Sequence, residues 1–220
     1  MTGTPEAGLA DLLRTRTHAL HRQAEQSGIV VALLQGRASR SAYALLLRNL
    51  LPAYRALEEG LERHREKAAL AAIARPPVYR AQAIESDLRA LQGPHWQASL
   101  PLLDAGARYA ARVAQVSEGH GERLVAHAYA RYLGDLNGGR ILCRLLSRSL
   151  GLGPESLAFY AYPGVDDLDA FKASYRRAFD AATAHVDPEA VADEALHAFR
   201  LNVALSEEVA RTGTETVAAR

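Results

Sequence analysis

The sequence predicts an all-α, single-domain multi-helix bundle, and three observations carry that reading. Alanine, leucine, arginine and glutamate dominate the composition, and all four favour helix. Apolar residues recur at three- and four-residue spacing over long stretches, the period of a helix with one buried face. No segment alternates apolar and polar residues as a half-buried strand would.

Taken in order, a first helix carries Leu9, Leu12, Leu13, Leu20 and Ala24 on one face, with Gly28 as its expected stop. A second is expected from about Ser39 to Glu66, carrying Leu45, Leu46, Leu50, Leu57 and Leu61. Pro52 lies inside it, removes a backbone donor and is expected to kink it. Residues 67–94 read as shorter helices and turns, broken at Pro76–Pro77 and Gly93–Pro94. Helices then run from Leu100 to Val116 and from Gly121 to about Leu150, where Gly151 is the terminator. Gly153–Pro154 and Asp187–Pro188 each have the pattern of a cap followed by proline at the first helical position. Final helices are expected at Asp167–His185 and Pro188–Arg211. No repeat or linker divides the chain. One domain over 1–220 is expected, with its core in about residues 10–210 and polar tails at both ends.

The 220 residues suffice for one sizeable core. Lys plus Arg (26) nearly balances Asp plus Glu (25), so bulk charge argues against a nucleic-acid partner and any functional basic patch is local. The single cysteine, Cys143, cannot close an internal disulfide, and no CxxC pair exists, which fits a reducing cytoplasm. The N-terminus lacks a basic segment followed by an apolar one, and apolar stretches such as Ile29–Leu34 are too short to span a bilayer. A soluble, cytoplasmic protein without a membrane partner is the expectation.

The informative run is Tyr129-Ala130-Arg131-Tyr132-Leu133-Gly134-Asp135-Leu136-Asn137-Gly138-Gly139-Arg140. Helix formers flank it, yet it holds three glycines, each costing about 1 kcal/mol relative to alanine. A turn between two helices, or close helix packing, would explain them. So would a backbone that must approach a flat ligand. Arg131 and Asp135 are four apart and share a face, either as a solvated pair or as part of a site where a carboxylate delivers protons through water.

Eight histidines are present, and none belongs to an HExxH or similar metal pattern. His21 stands out by its neighbours: Glu25, four residues on, is placed to orient the ring, and Arg14 lies two turns back on the same face. His18 competes on position alone. Lys172 and Arg176, one turn apart, form either a solvated cationic face or a clamp for carboxylates.

These residues resemble the haem oxygenase family over roughly residues 10–210. The run from Tyr129 to Gly139 resembles the family's distal-helix signature, and His21-Arg22-Gln23-Ala24-Glu25 resembles its proximal motif. Tyr54-Arg55-Ala56-Leu57-Glu58-Glu59 and Ala198-Phe199-Arg200-Leu201-Asn202 agree in order and spacing. The resemblance implies haem, as substrate and cofactor, held between proximal and distal helices with its iron on His21 and Glu25 holding that ring. It implies that Gly138 and Gly139 bring backbone close to the haem face, with Gly134 of the same run also against the haem. Asp135 would organise a distal water network with Tyr54 and Arg131. Arg14, Tyr129, Lys172 and Arg176 fall where the family binds the propionates, and Phe199 and Asn202 would line the pocket. Asn137 departs from the serine many members carry, and Arg14 from a lysine.

The implied reaction opens the ring with O2 to give biliverdin, CO and ferrous iron. No GxGxxG or phosphate loop binds NADPH or flavin, so electrons are expected from a separate reductase or ferredoxin docking on a basic surface. A biliverdin-using acceptor protein is a further partner the family implies. The alternative on the same fold is a non-catalytic haem-binding or sensing protein, which would not need Asp135 together with the glycines. A thiaminase-type enzyme would need a pocket cysteine, and Cys143 lies beyond the glycine run. A helical interaction module would need neither buried glycines nor clustered cations.

Overall fold

The computed structural model describes the backbone of residues 8–218 and the side chains of residues 8–213. The regular elements of the described residues are eleven α-helices, four short 3-10 turns and one π turn, with no strand. Helix α1 (Leu9–Glu25) buries Leu9, Ala10, Leu13, Thr17 and Ala24. Gly28 does not end α1 directly; α1 stops three residues earlier, and Gly28 opens a short helix α2 (Gly28–Leu34) built from the apolar Ile29–Leu34 stretch. Its φ of +57° needs glycine, and a Cβ there would lie 2.3 Å from the Ser206 backbone carbon, so the glycine lets α2 meet the last helix at backbone contact.

Helix α3 (Arg40–Arg63) is the centre of the molecule. Residues 42–47 are all buried, which an amphipathic surface helix would not allow. Ser39 caps it by accepting from Ala42 N at 3.1 Å, and Pro52 is accommodated within it. The helix ends at Arg63 rather than Glu66, where His64 turns in and gives Nε2 to the Ser117 carbonyl at 2.8 Å.

The expected short elements follow as α4 (Ala68–Ala71), α5 (Ala81–Gln92) and α6 (Trp96–Ser99). Helix α7 (Asp104–Val116) begins four residues later than Leu100, because Asn49 of α3 accepts from Leu103 N at 2.7 Å and holds 100–103 extended. The 121–150 run is one helical rod in three parts: α8 (Leu124–Ala128), a π turn (Tyr129–Leu133) and α9 (Gly134–Leu150). Gly151 closes it in the left-handed region, as expected from the sequence. Asp167 caps α10 (Leu168–Ala182), and Asp187 caps α11 (Pro188–Ala218) by accepting from Glu189 N and Ala190 N. Helix α11 runs past the expected Arg211.

α3 packs against α5 and α7, and α11 packs against α1, α2, α3 and α7, giving one large contiguous core. A small separate apolar cluster of Ala130, Ala198 and Phe199, with Leu20 and Tyr129 against it, sits where α1, α11 and the π turn meet. No helix among the described residues is long and apolar enough to cross a membrane.

Candidate functional site

Beside that small cluster opens a cavity of about 510 Å³ between α1, the π turn with the start of α9, α10 and Phe199 of α11. Its size lies in the range of small-molecule sites, roughly 300–1,000 Å³. Of the residues singled out in the sequence, it brings together Arg14, His21, Tyr129, Gly134, Lys172, Arg176 and Phe199, along with Asn137.

On the α1 side, the His21 ring packs against Phe199 with centroids 5.8 Å apart. Its Nδ1 lies 3.6 Å from Glu25 Oε1, a charge contact longer than a hydrogen bond, with both side chains about half exposed. His18 also lines the cavity, so the one-turn ambiguity between the two histidines is real; Phe199 and Glu25 distinguish His21.

The opposite wall is made by the π turn and α9. A π turn inserts an extra residue into the helical register, and such turns recur at functional sites. Here it precedes Gly134 and places Ala130, Leu133, Gly134 and Asn137 on the cavity. A Cβ added at Gly134 or Gly138 would meet no atom within 4 Å, so packing does not require glycine at either position. Gly139 differs: it is buried, and a Cβ there would come within 3.3 Å of Tyr160. Asp87 holds the turn bearing Tyr160 by accepting from Ala158 N at 2.7 Å and Phe159 N at 2.9 Å, and burial pushes its carboxyl up to about 6.

Off the cavity lies a polar cluster in which Tyr54, Tyr109 and Tyr132 are buried and Arg131 and Asp135 part-buried. The Tyr54 hydroxyl donates to Asp135 Oδ2 at 2.5 Å, and among the described residues it is the side chain's one hydrogen-bond partner. The Arg131 guanidinium lies 5.8 Å from the Tyr54 ring and 5.9 Å from the Tyr109 ring. Burial pushes the Asp135 carboxyl up, against the opposing charge of Arg131 and the hydrogen bond from Tyr54. Arg131 Nε and the hydroxyls of Tyr109 and Tyr132 are buried without a protein partner, groups of the kind that ordered water satisfies. The solvated-pair reading of Arg131 and Asp135 therefore does not describe them.

Sequence reasoning missed Tyr109, and beyond it His127 and Glu194. Tyr109 packs 5.8 Å from the His127 ring, whose Nε2 lies 3.0 Å from Glu194 Oε1, and Arg112 binds the same carboxylate. No spacing signals this, because the partners come from α7, α8 and α11. Thr17, buried beside Tyr129 and lining the cavity, was also not singled out.

Arg14, Lys172 and Arg176 form the cationic rim, with Arg14 the most exposed at 65%. Asn202 stands half-buried one turn beyond Phe199 and is not among the lining residues; nor are Glu25, Gly138 and Gly139. A histidine facing an uncovered glycine backbone across an apolar slot, with cations at the rim, fits a flat, iron-bearing dicarboxylate.

The family model described as Heme oxygenase matches residues 7–208. Heme oxygenase 1 of Rattus norvegicus is 37% identical over 94% of this chain and 73% of its own length. Heme oxygenase 1 of Synechocystis is 37% identical over 91% of this chain and 84% of its own. Among solved structures, the Synechocystis heme oxygenase-1 in complex with heme superposes with a TM-score of 0.89 at 34% identity, covering 97% of both chains. Heme oxygenase from Leptospira interrogans superposes with a TM-score of 0.86 at 32% identity, covering 92% of this chain and all of that one.

Proposed function

The chain belongs to the haem oxygenase family, and from that premise we infer a single haem oxygenase domain that opens haem with O2 and supplied electrons to biliverdin, CO and ferrous iron. The observation that carries the reading at the level of the site is the pairing of His21 with the uncovered Gly134 backbone across one cavity.

Haem, when bound, supplies both the iron that takes O2 and the ring that is cleaved. The chain's own residues do the rest. His21 would hold the iron through Nε2, because Nδ1 is the nitrogen turned toward Glu25. Gly134, which lines the cavity, and Gly138 one turn further along α9 would give the ring a wall without side chains. Asp135, tied by Tyr54 through one oxygen, keeps the other for a water that carries protons to the reacting face. Arg131 lends that carboxylate its charge from a position fixed over two tyrosine rings. Arg14, Tyr129, Lys172 and Arg176 would bind the two propionates, and Phe199 would close the pocket beside His21, with Asn202 one turn further along α11.

Electrons come from a separate reductase or ferredoxin, for which the rim cations form a complementary surface. A biliverdin-using acceptor protein is the further partner that the family implies. The single cysteine supports a reducing, cytoplasmic setting.

His21→Ala tests the ligand assignment. Resonance Raman of the ferrous complex is expected to lose the iron–histidine stretch, with added imidazole restoring a five-coordinate signal. An unchanged stretch in the variant would move the ligand to another residue, His18 first.

A further inference from the structure

This inference rests on the anchoring role given above to Arg14 and Arg176. Asp11, in the first turn of α1, does not line the cavity. Its Oδ1 accepts from Arg176 Nη2 of α10 at 2.8 Å, and from Arg14 Nε and Nη2 on its own helix, both at 3.4 Å. One carboxylate oxygen thus ties together two guanidinium groups that both line the cavity. The other rim cation is not joined to a second cavity-lining cation: Lys172 Nζ lies 3.5 Å from Asp169, one turn back on α10, and Asp169 reaches across to Arg140 of α9 at 3.6 Å, which does not line the cavity.

Two guanidinium groups side by side repel each other, and a carboxylate between them offsets that repulsion while fixing their separation. The side chains of Asp11, Arg14 and Arg176 are 46%, 65% and 40% exposed. Exposed ion pairs add little to stability, so the consequence of this one is where it points the two arginines. The four meso bridges of a haem differ in their position relative to the two propionates. Whatever fixes the propionate anchors therefore fixes which bridge is presented to the distal wall.

We propose that Asp11 is a positioning residue for this reaction: it locks Arg14 and Arg176 into one anchor, which sets the in-plane rotation of the haem and hence which meso bridge is opened. Asp11 also favours α1 simply as an acid near a helix N-terminus. That contribution would register in thermal stability and leave the product pattern alone.

The test compares Asp11→Asn, Asp11→Glu, Arg176→Ala and the unaltered full chain, each reconstituted with haemin. Each is turned over with a reductase and NADPH in air with catalase present. Biliverdin isomers are separated by chromatography, and melting temperatures are read in parallel. Asp11→Asn is expected to change the isomer ratio, to bind haemin no more than roughly fivefold more weakly, the scale of an exposed ion pair, and to melt close to the unaltered chain. Asp11→Glu is expected to restore the original ratio. An unchanged ratio in Asp11→Asn beside a changed one in Arg176→Ala would overturn the role of Asp11 and leave the anchor standing. An unchanged ratio in both would overturn the anchor reading as well. A shift that Asp11→Glu fails to reverse would also overturn the proposal.

Discussion

Gly138 is where a single methyl group separates a structural requirement from a functional one. Its added Cβ would meet nothing within 4 Å, so Gly138→Ala is expected to leave the fold intact and to stabilise the haem-free protein by up to about 1 kcal/mol through helix propensity. The same methyl group would stand against the haem and weaken haemin binding by about tenfold, which is about 1.4 kcal/mol. Urea denaturation and a haemin titration read the two effects separately; tight binding in the variant would remove Gly138 from the haem face. Gly139→Ala should instead cost about 1 kcal/mol of stability, because its Cβ would press on Tyr160 at 3.3 Å. Asp135→Ala is expected to bind haemin yet to form biliverdin about a hundredfold more slowly, the scale of a lost proton-transfer group. Wild-type rates in a reductase-coupled assay would contradict the role given to Asp135. The sequence made His21 and the glycine run visible because both stand out from a helical background. It did not show that Gly139 serves packing while Gly134 and Gly138 do not, since that depends on Tyr160, which comes from a distant turn.

At the scale of elements, the helices were legible wherever one chain segment decides its own fate. Ser39, Asp167 and Asp187 cap as their types suggest, and Gly151 terminates α9. The differences arise where another element intervenes: Asn49 delays the start of α7, and α11 at backbone contact turns Gly28 into the opening residue of α2. The π turn was likewise not readable, because nothing in Tyr129-Ala130-Arg131-Tyr132-Leu133 breaks a helical pattern. The ties between α7, α8 and α11 make a prediction of their own. Burial pushes the Glu194 carboxyl up, but hydrogen bonds from His127 and Arg112 outweigh it and hold the group down at about 2, below its ordinary 4.5. A carboxyl depressed in the fold stabilises it fully above the unfolded value, and the contribution is lost as pH falls from about 4.5 toward 2. Glu194→Gln should therefore cost roughly 3 kcal/mol at pH 7, as expected for breaking a buried pair. The deficit should shrink when urea denaturation is repeated near pH 3; an equal deficit at both pH values would mean that packing, and not charge, is what was lost.

Across the whole molecule, the site joins parts of the chain that lie far apart in sequence: α1 near the N-terminus, the glycine-bearing rod in the middle, α10 and α11 late in the chain. Composition and periodicity predict that such helices form and bury one face, but they do not say that α1 and α9 stand on opposite walls of one cavity. That juxtaposition is what makes a lone histidine, a run of glycines and a rim of cations into a haem site. The most direct measurement is a haemin titration of the purified protein, followed by a reductase with NADPH in air with catalase present. Tight uptake is expected, then loss of the Soret band with growth of biliverdin absorbance. A bound haem whose spectrum persists under a competent electron donor, or no uptake of haemin at all, would contradict the proposed function.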